Sequence, residues 1–190
     1  MTVATGWIRT HSYVYLLRTA EWIAKQPVDE NRPDSAESKK IAYCTFMAMC
    51  LEAFLNNCGH YLVPWWSDEI EKQLGIEAKL SVIFEKCGVT FDPGVRPYQT
   101  IRSLMNFRNK IAHAKTERAE ADFKELLNLE RSRKPMPRIA KWQKSLDNLS
   151  EEHVREDIDK FMLKLWEEGQ LENIMESEPN ARPVNFPVHD

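Results

Sequence analysis

Residues Tyr98–Lys115 read YQTIRSLMNFRNKIAHAK, and on a helical period this stretch sorts into two faces. At about 100° per residue, Phe107, Ile111, Leu104, Ile101, Ala112 and Met105 fall on one apolar arc. Arg108 lies in the middle of that arc, where a core helix carries leucine. A guanidinium there is costly unless paired. Asn109 and His113 share the polar shoulder, with Arg102 and Asn106 beside them. The pattern predicts an amphipathic helix whose misplaced charge needs a partner elsewhere in the chain.

That partner is offered upstream. Residues 38–62, SKKIAYCTFMAMCLEAFLNNCGHYL, are apolar almost all round, the signature of a helix enclosed by others. Ser38 is the expected N-cap, and Gly59 or Pro64 the stop. Thr45, Glu52 and Asn56 repeat at seven- and four-residue spacing and draw a narrow polar stripe along it. A carboxylate on such a helix wants a cation, and Arg108 is the obvious one.

The remaining segments are also helical. Residues 11–26 place Val14, Leu17, Ala20, Ile23 and Ala24 at helical spacing before Pro27, and residues 27–37 read as a loop. Trp65–Gln73 and Glu77–Lys86 are two short helices separated by Gly75 and closed by Gly88; Asp92-Pro93-Gly94 turns the chain into the helix at Tyr98, with Pro97 in its first turn. Trp65 and Trp66 are expected in packing or at an interface. Ala119–Glu130 has helical periodicity. Glu130–Lys144 is a basic, proline-broken segment carrying Trp142, and a last helix capped by Asn148 or Ser150 runs to about Asn173. The tail has no periodicity. No period-two strand is present, so the expected fold is all-α: an up-down bundle over residues 1–118, additional helices packed on it over 119–175, and an extended Pro-rich tail over 176–190.

Composition sets outer bounds. A chain of 190 residues supports one sizeable core, and its formal net charge of −3 gives no global basic field for nucleic acid. Any polyanion must then meet a local patch. No continuous apolar run reaches the roughly 18 residues of a membrane span, and the first residues lack the pattern of a secretory signal. The four cysteines have no CxxC spacing, and three of them lie in one helical stretch among apolar neighbours. They read as buried small hydrophobes in a reducing compartment, the cytosol. His60 and Cys58 make only two potential ligands, so no metal and no cofactor is expected.

The polar shoulder of Tyr98–Lys115 has the residue types of phosphodiester chemistry. Histidine exchanges protons near neutral pH, and arginine holds a phosphate or stabilises the charge that develops on it. Asn109, one turn before His113, orients the ring or binds a phosphate oxygen. RNA brings its own nucleophile, the 2′-hydroxyl, so such a pair cleaves it without metal and leaves a 2′,3′-cyclic phosphate. Arg108 and His113 diverge by roughly 140° on a straight helix. A working site therefore needs a bend at His113 or a second copy of the chain.

FRNKIAHAK (Phe107–Lys115) resembles the R-x4–6-H signature of the HEPN superfamily in its R-N-x-x-A-H form, and FMAMCLEAFLN (Phe46–Asn56) is similar to that family's long buried helix with its acidic residue. The resemblance covers residues 10–115. It implies a helical bundle that dimerises around a composite cleft, often as a metal-independent endoribonuclease in toxin–antitoxin, phage-defence or RNA-processing settings. Carried over, Arg108 and His113 are the catalytic pair, Asn109 supports them, and Glu52 positions Arg108. Arg102, Lys110 and Lys115 would contact RNA, with a homodimer and an antitoxin or other protein as partners. Lys115 stands where the subset controlled by nucleotidyltransferase antitoxins has a tyrosine. The other reading is a non-catalytic HEPN-like module that binds a protein or nucleotide, with Arg108–Glu52 as a bundle lock.

Overall fold

The computed structural model describes residues 10–90, 92–117, 127–128, 131, 140–169 and 171. These form an all-α bundle of α1 (Ser12–Lys25), α2 (Ser35–Leu62), α3 (Asp68–Gln73), α4 (Ile76–Cys87), α5 (Tyr98–Ala112), α6 (Lys141–Asp147) and α7 (Glu151–Glu168). The expected helix over Ala119–Glu130, most of the basic segment and the tail lie outside the described residues.

The long α2 is the hub. It packs against α1, α4, α5 and α7, while α5 also meets α6 and α7. Its length and composition would let it cross a membrane, a property that a count of uninterrupted apolar residues misses; half of its most apolar window is buried by neighbouring helices. Cys44, Met47, Ala48, Cys50, Leu51, Phe54, Leu55 and Cys58 are fully enclosed. From α1, Tyr13 meets Phe54 edge to face at 5.3 Å between ring centroids. From α4, α5 and α7, the rings of Phe84, Tyr98 and Phe161 pack edge to face in a three-way cluster. Helices α6 and α7 share this core through Leu146, Val154, Ile158 and Leu165.

Several boundaries differ from the sequence reading. Helix α2 starts at Ser35, so Ser38 lies inside its first turn, where its N–H donates to Asp34 O. Gly59 does not stop the helix. It makes room instead: a Cβ there would stand 2.2 Å from the Trp66 ring, which lies flat against the helix. Val63 leaves the helix in extended conformation just before Pro64. Trp65–Ser67 are therefore outside helix α3, with Trp66 buried and Trp65 stacked on it at 6.1 Å and half exposed. Gly88, at φ 66°, closes α4 in the left-handed conformation that glycine adopts without strain. Ser150 is the cap of α7, accepting from His153 N, and that helix ends at Glu168. Helix α6 was not anticipated; the sequence there reads as a basic connection.

Candidate functional site

The apolar arc of α5 is buried up to Phe107, while Ile111 is half-buried and Ala112 exposed. Ile101, Leu104, Met105 and Phe107 are buried, and Arg108 emerges beside them at the α2 contact, with 32% of its side chain exposed. Its Nη2 donates to Glu52 Oε2, a half-buried carboxylate on the core helix and the pairing expected for it. Nη1 donates to Asn109 Oδ1 at 2.9 Å. The guanidinium is thus held between a carboxylate on its core side and an amide on its solvent side, which fixes its plane.

Glu52 has a second cation that sequence reading missed. Lys79 of α4 is 2% exposed, and its Nζ stands 3.6 Å from Glu52 Oε1 and donates to Asn56 Oδ1 at 2.7 Å. Asn56 Nδ2 donates in turn to Glu71 Oε1 at 2.7 Å, and Glu71 Oε2 lies 3.2 Å from His60 Nε2. The polar stripe is therefore one continuous row: Asn109, Arg108, Glu52, Lys79, Asn56, Glu71, His60. At its centre, where Lys79 is buried, a missing partner is expensive, whereas both ends of the row reach solvent. Lys79 was invisible as a member because IEAKLSVIF places it on a face of α4 that otherwise carries Leu80, Ile83 and Phe84, and no local spacing announces its reach to α2. Thr45, the other residue of the predicted stripe, has no part in the row among the described residues.

His113 lies outside α5. The helix ends at Ala112, and His113 is the C-cap at φ −111°, ψ 20°, with its N–H on Asn109 O. The sequence leaves open a bend here or a second copy of the chain; the helix ends before His113. His113 lines an open groove of about 410 Å³ with Asn109, Lys110, Ala114, Lys115, Glu117, Lys141 and Trp142, and Arg108 is not among the lining residues. Asn109 is the residue common to the groove and to Arg108. Of the expected RNA contacts, Lys115 and Lys110 border this groove, and Lys110 Nζ also donates to Ser145 Oγ at 2.8 Å, tying α5 to α6. Arg102 is elsewhere, donating to Glu77 Oε1 at 2.9 Å on the surface. Lys141 and Trp142 bring the end of the basic segment to the groove wall, where Lys141 N donates to Glu117 Oε1.

The cysteines carry no reactive thiolate. All four are free. Burial pushes Cys44 and Cys50 up to about 12, Cys58 well above the ordinary thiol value, and Cys87 up to about 11. Each is protonated near neutrality and unsuited to nucleophilic work.

The chemistry available is therefore concentrated at the C-terminal end of α5: a solvent-facing imidazole, an amide, three lysines and an indole around one groove, with an anchored guanidinium immediately behind. In a chain of net negative charge, this groove gathers three lysines and an indole beside the single carboxylate of Glu117. Compared with protein families, with curated proteins and with solved structures, the chain matches none.

Proposed function

We propose that the protein is a metal-independent endoribonuclease of HEPN type, acting on single-stranded RNA in the cytoplasm as a homodimer, in a toxin or phage-defence role. One observation carries the reading: Asn109 accepts from Arg108 while lining the groove of His113, Lys110, Lys115, Lys141 and Trp142. Asn109 thus links Arg108, which does not line the groove, to the open surface on which His113 stands. His113 takes the proton from the ribose 2′-hydroxyl. The 2′-oxygen forms a bond to phosphorus while the bond from phosphorus to the 5′-oxygen breaks, and the leaving oxygen receives a proton from the His113 of a second copy. Arg108, turned from Glu52 toward the phosphate or supplied by that second copy, neutralises the charge that builds on the non-bridging oxygens. Trp142 stacks a base, and the lysines track the backbone.

The test is incubation with RNA in EDTA beside the His113→Ala variant, whose exposed side chain leaves the fold untouched. Cleavage by the parent protein and none by the variant supports the reading. Equal cleavage by both, or none by either, sinks the catalytic claim.

A second reading is favoured by a different observation. Glu52 holds Arg108 and the buried Lys79 together, which is what a bundle lock requires. In that case the fold is a non-catalytic HEPN-like module for a protein or nucleotide partner. Arg108→Ala separates the two: a loss of about 1–3 kcal/mol in urea unfolding, with no change in RNA turnover, supports the lock. Lost turnover with an intact fold supports the enzyme.

A further inference from the structure

Two helical turns along α2 from Glu52, a second group of donors converges. His60 sits in the last turn of α2, and Asp68 and Glu71 lie three residues apart on one face of α3. His60 Nε2 stands 3.2 Å from Glu71 Oε2 and 3.9 Å from Asp68 Oδ1, and the three ligand atoms all lie within 4.8 Å of one another. Ligands at the usual 2.0–2.1 Å from a tetrahedral zinc ion are separated by about 3.3 Å.

Three features set this group apart from a surface ion pair. Both carboxylates approach the same ring nitrogen, Glu71 within hydrogen-bond reach at 3.2 Å and the exposed Asp68 beyond it at 3.9 Å, so the one N–H serves Glu71 and leaves Asp68 to solvent. A cation between them serves both. Glu71 is also oriented from behind: its Oε1 accepts from Asn56 Nδ2, and Asn56 is held by the buried Lys79, which leaves Oε2 aimed at His60. Outer hydrogen bonds of this kind fix ligating carboxylates in metal sites. Finally, α3 has six residues and buries none of them, so beyond its Ser67 cap it has little packing to hold it in place.

We propose that His60, Asp68 and Glu71 bind one divalent metal ion of the zinc class, which clamps α3 to the end of α2. One imidazole nitrogen and two carboxylate oxygens suit a borderline ion, and solvent completes the shell on the exposed side. Cys58, the other ligand type nearby, is fully buried and takes no part. The site is independent of RNA cleavage: its readout is binding, so a failed ribonuclease assay says nothing about it.

The full-length protein, stripped with EDTA and dialysed, is titrated with Zn²⁺ by calorimetry and with Co²⁺ by visible absorption. Saturation at one equivalent is expected, with cobalt bands of a low-coordinate nitrogen–oxygen site and a rise in melting temperature on adding Zn²⁺. His60→Ala, whose side chain is exposed and whose fold is checked by circular dichroism, should abolish all three signals. Glu71→Gln and Asp68→Asn should each weaken binding about tenfold or more. Absence of one-equivalent binding to the parent protein, or binding that persists unchanged in His60→Ala, overturns the proposal.

Discussion

At the N-terminal end of α5, Tyr98 is closed in by Phe84 and Phe161, and Thr100 and Arg96 donate to Asp157, a carboxylate 1% exposed on α7. At the C-terminal end of the same helix, His113 and Asn109 face solvent, and the groove beside them is open. Both ends contain an arginine paired to a carboxylate, yet the pairs serve different purposes. Arg96 satisfies a charge that α7 buries, and its hydrogen bond to Asp157 pushes the Arg96 pKa up. Arg108 is itself the unusual group, placed on an apolar arc and held ready by Glu52 on one side and Asn109 on the other. The contrast teaches that one helix can be bolted to the core at one end so that the other end can afford exposed polar groups.

Removing the bolt should have the largest effect. Phe161 is 1% exposed and touches both Phe84 and Tyr98, so Phe161→Ala should cost about 3–5 kcal/mol in urea unfolding. A cost below that of an exposed substitution would erase the distinction between the two ends. Glu52→Ala acts beneath the open end, leaving Lys79 and Arg108 without their carboxylate, and should cost about 2 kcal/mol. Because Lys79 keeps Asn56, the loss should be smaller than for Phe161→Ala, and thermal melts of the two variants give the order directly.

At the open end itself, His113→Ala should change stability by less than about 0.5 kcal/mol while abolishing RNA cleavage in EDTA. A large destabilisation would mean that the C-cap histidine belongs to the framework. The smallest response belongs to the thiols. Since burial holds Cys44 and Cys50 near pKa 12, native protein at pH 8 should resist alkylation at both positions, with labelling appearing only in denaturant. Mass spectrometry that finds either cysteine modified as fast as a free thiol would show that the α2 core opens readily.

Much of the bundle was legible because helical periodicity and capping are local. Pro27 after an apolar-periodic run needed no tertiary information, and local capping rules narrowed the start of α7 to Asn148 or Ser150, of which Ser150 is the cap. The Arg108–Glu52 pair was legible for a different reason: each residue is out of place on its own helix, and two misplaced opposite charges point to each other. Lys79 gave no such signal, since one lysine on a short helix is ordinary until α4 turns it inward. The same blindness affected the start of α2. Ser35 and Ser38 are both acceptable near a helix start, and in the structure the loop from α1 reaches Ser35, Asp29 N donating to its Oγ. Of the two stops the sequence offers, Gly59 and Pro64, the helix ends before Pro64, and the role of Gly59 is hidden because its partner, the Trp66 ring, returns only after that turn. His113 and the groove were readable as residues but not as a place, for Lys141 and Trp142 reach it from a segment whose path no spacing rule foretells.

The row of side chains along α2 has a direction, and one residue sets it. Arg108 and Lys79 only donate, Glu52 and Glu71 only accept, and Asn56 alone does both with different atoms, accepting from Lys79 at Oδ1 and donating to Glu71 from Nδ2. The sequence of roles on either side therefore permits a single amide orientation, and a half-turn of that amide would set donor against donor and acceptor against acceptor at once. Aspartate has the same outline as asparagine but no donor, so an exchange of one amide for one carboxylate leaves the shape of the row intact and breaks its parity. Asn56 works as a joint between two polarities: through it, the end of α2 near His60 and the helix that carries Arg108 are bound by the same rule of alternation.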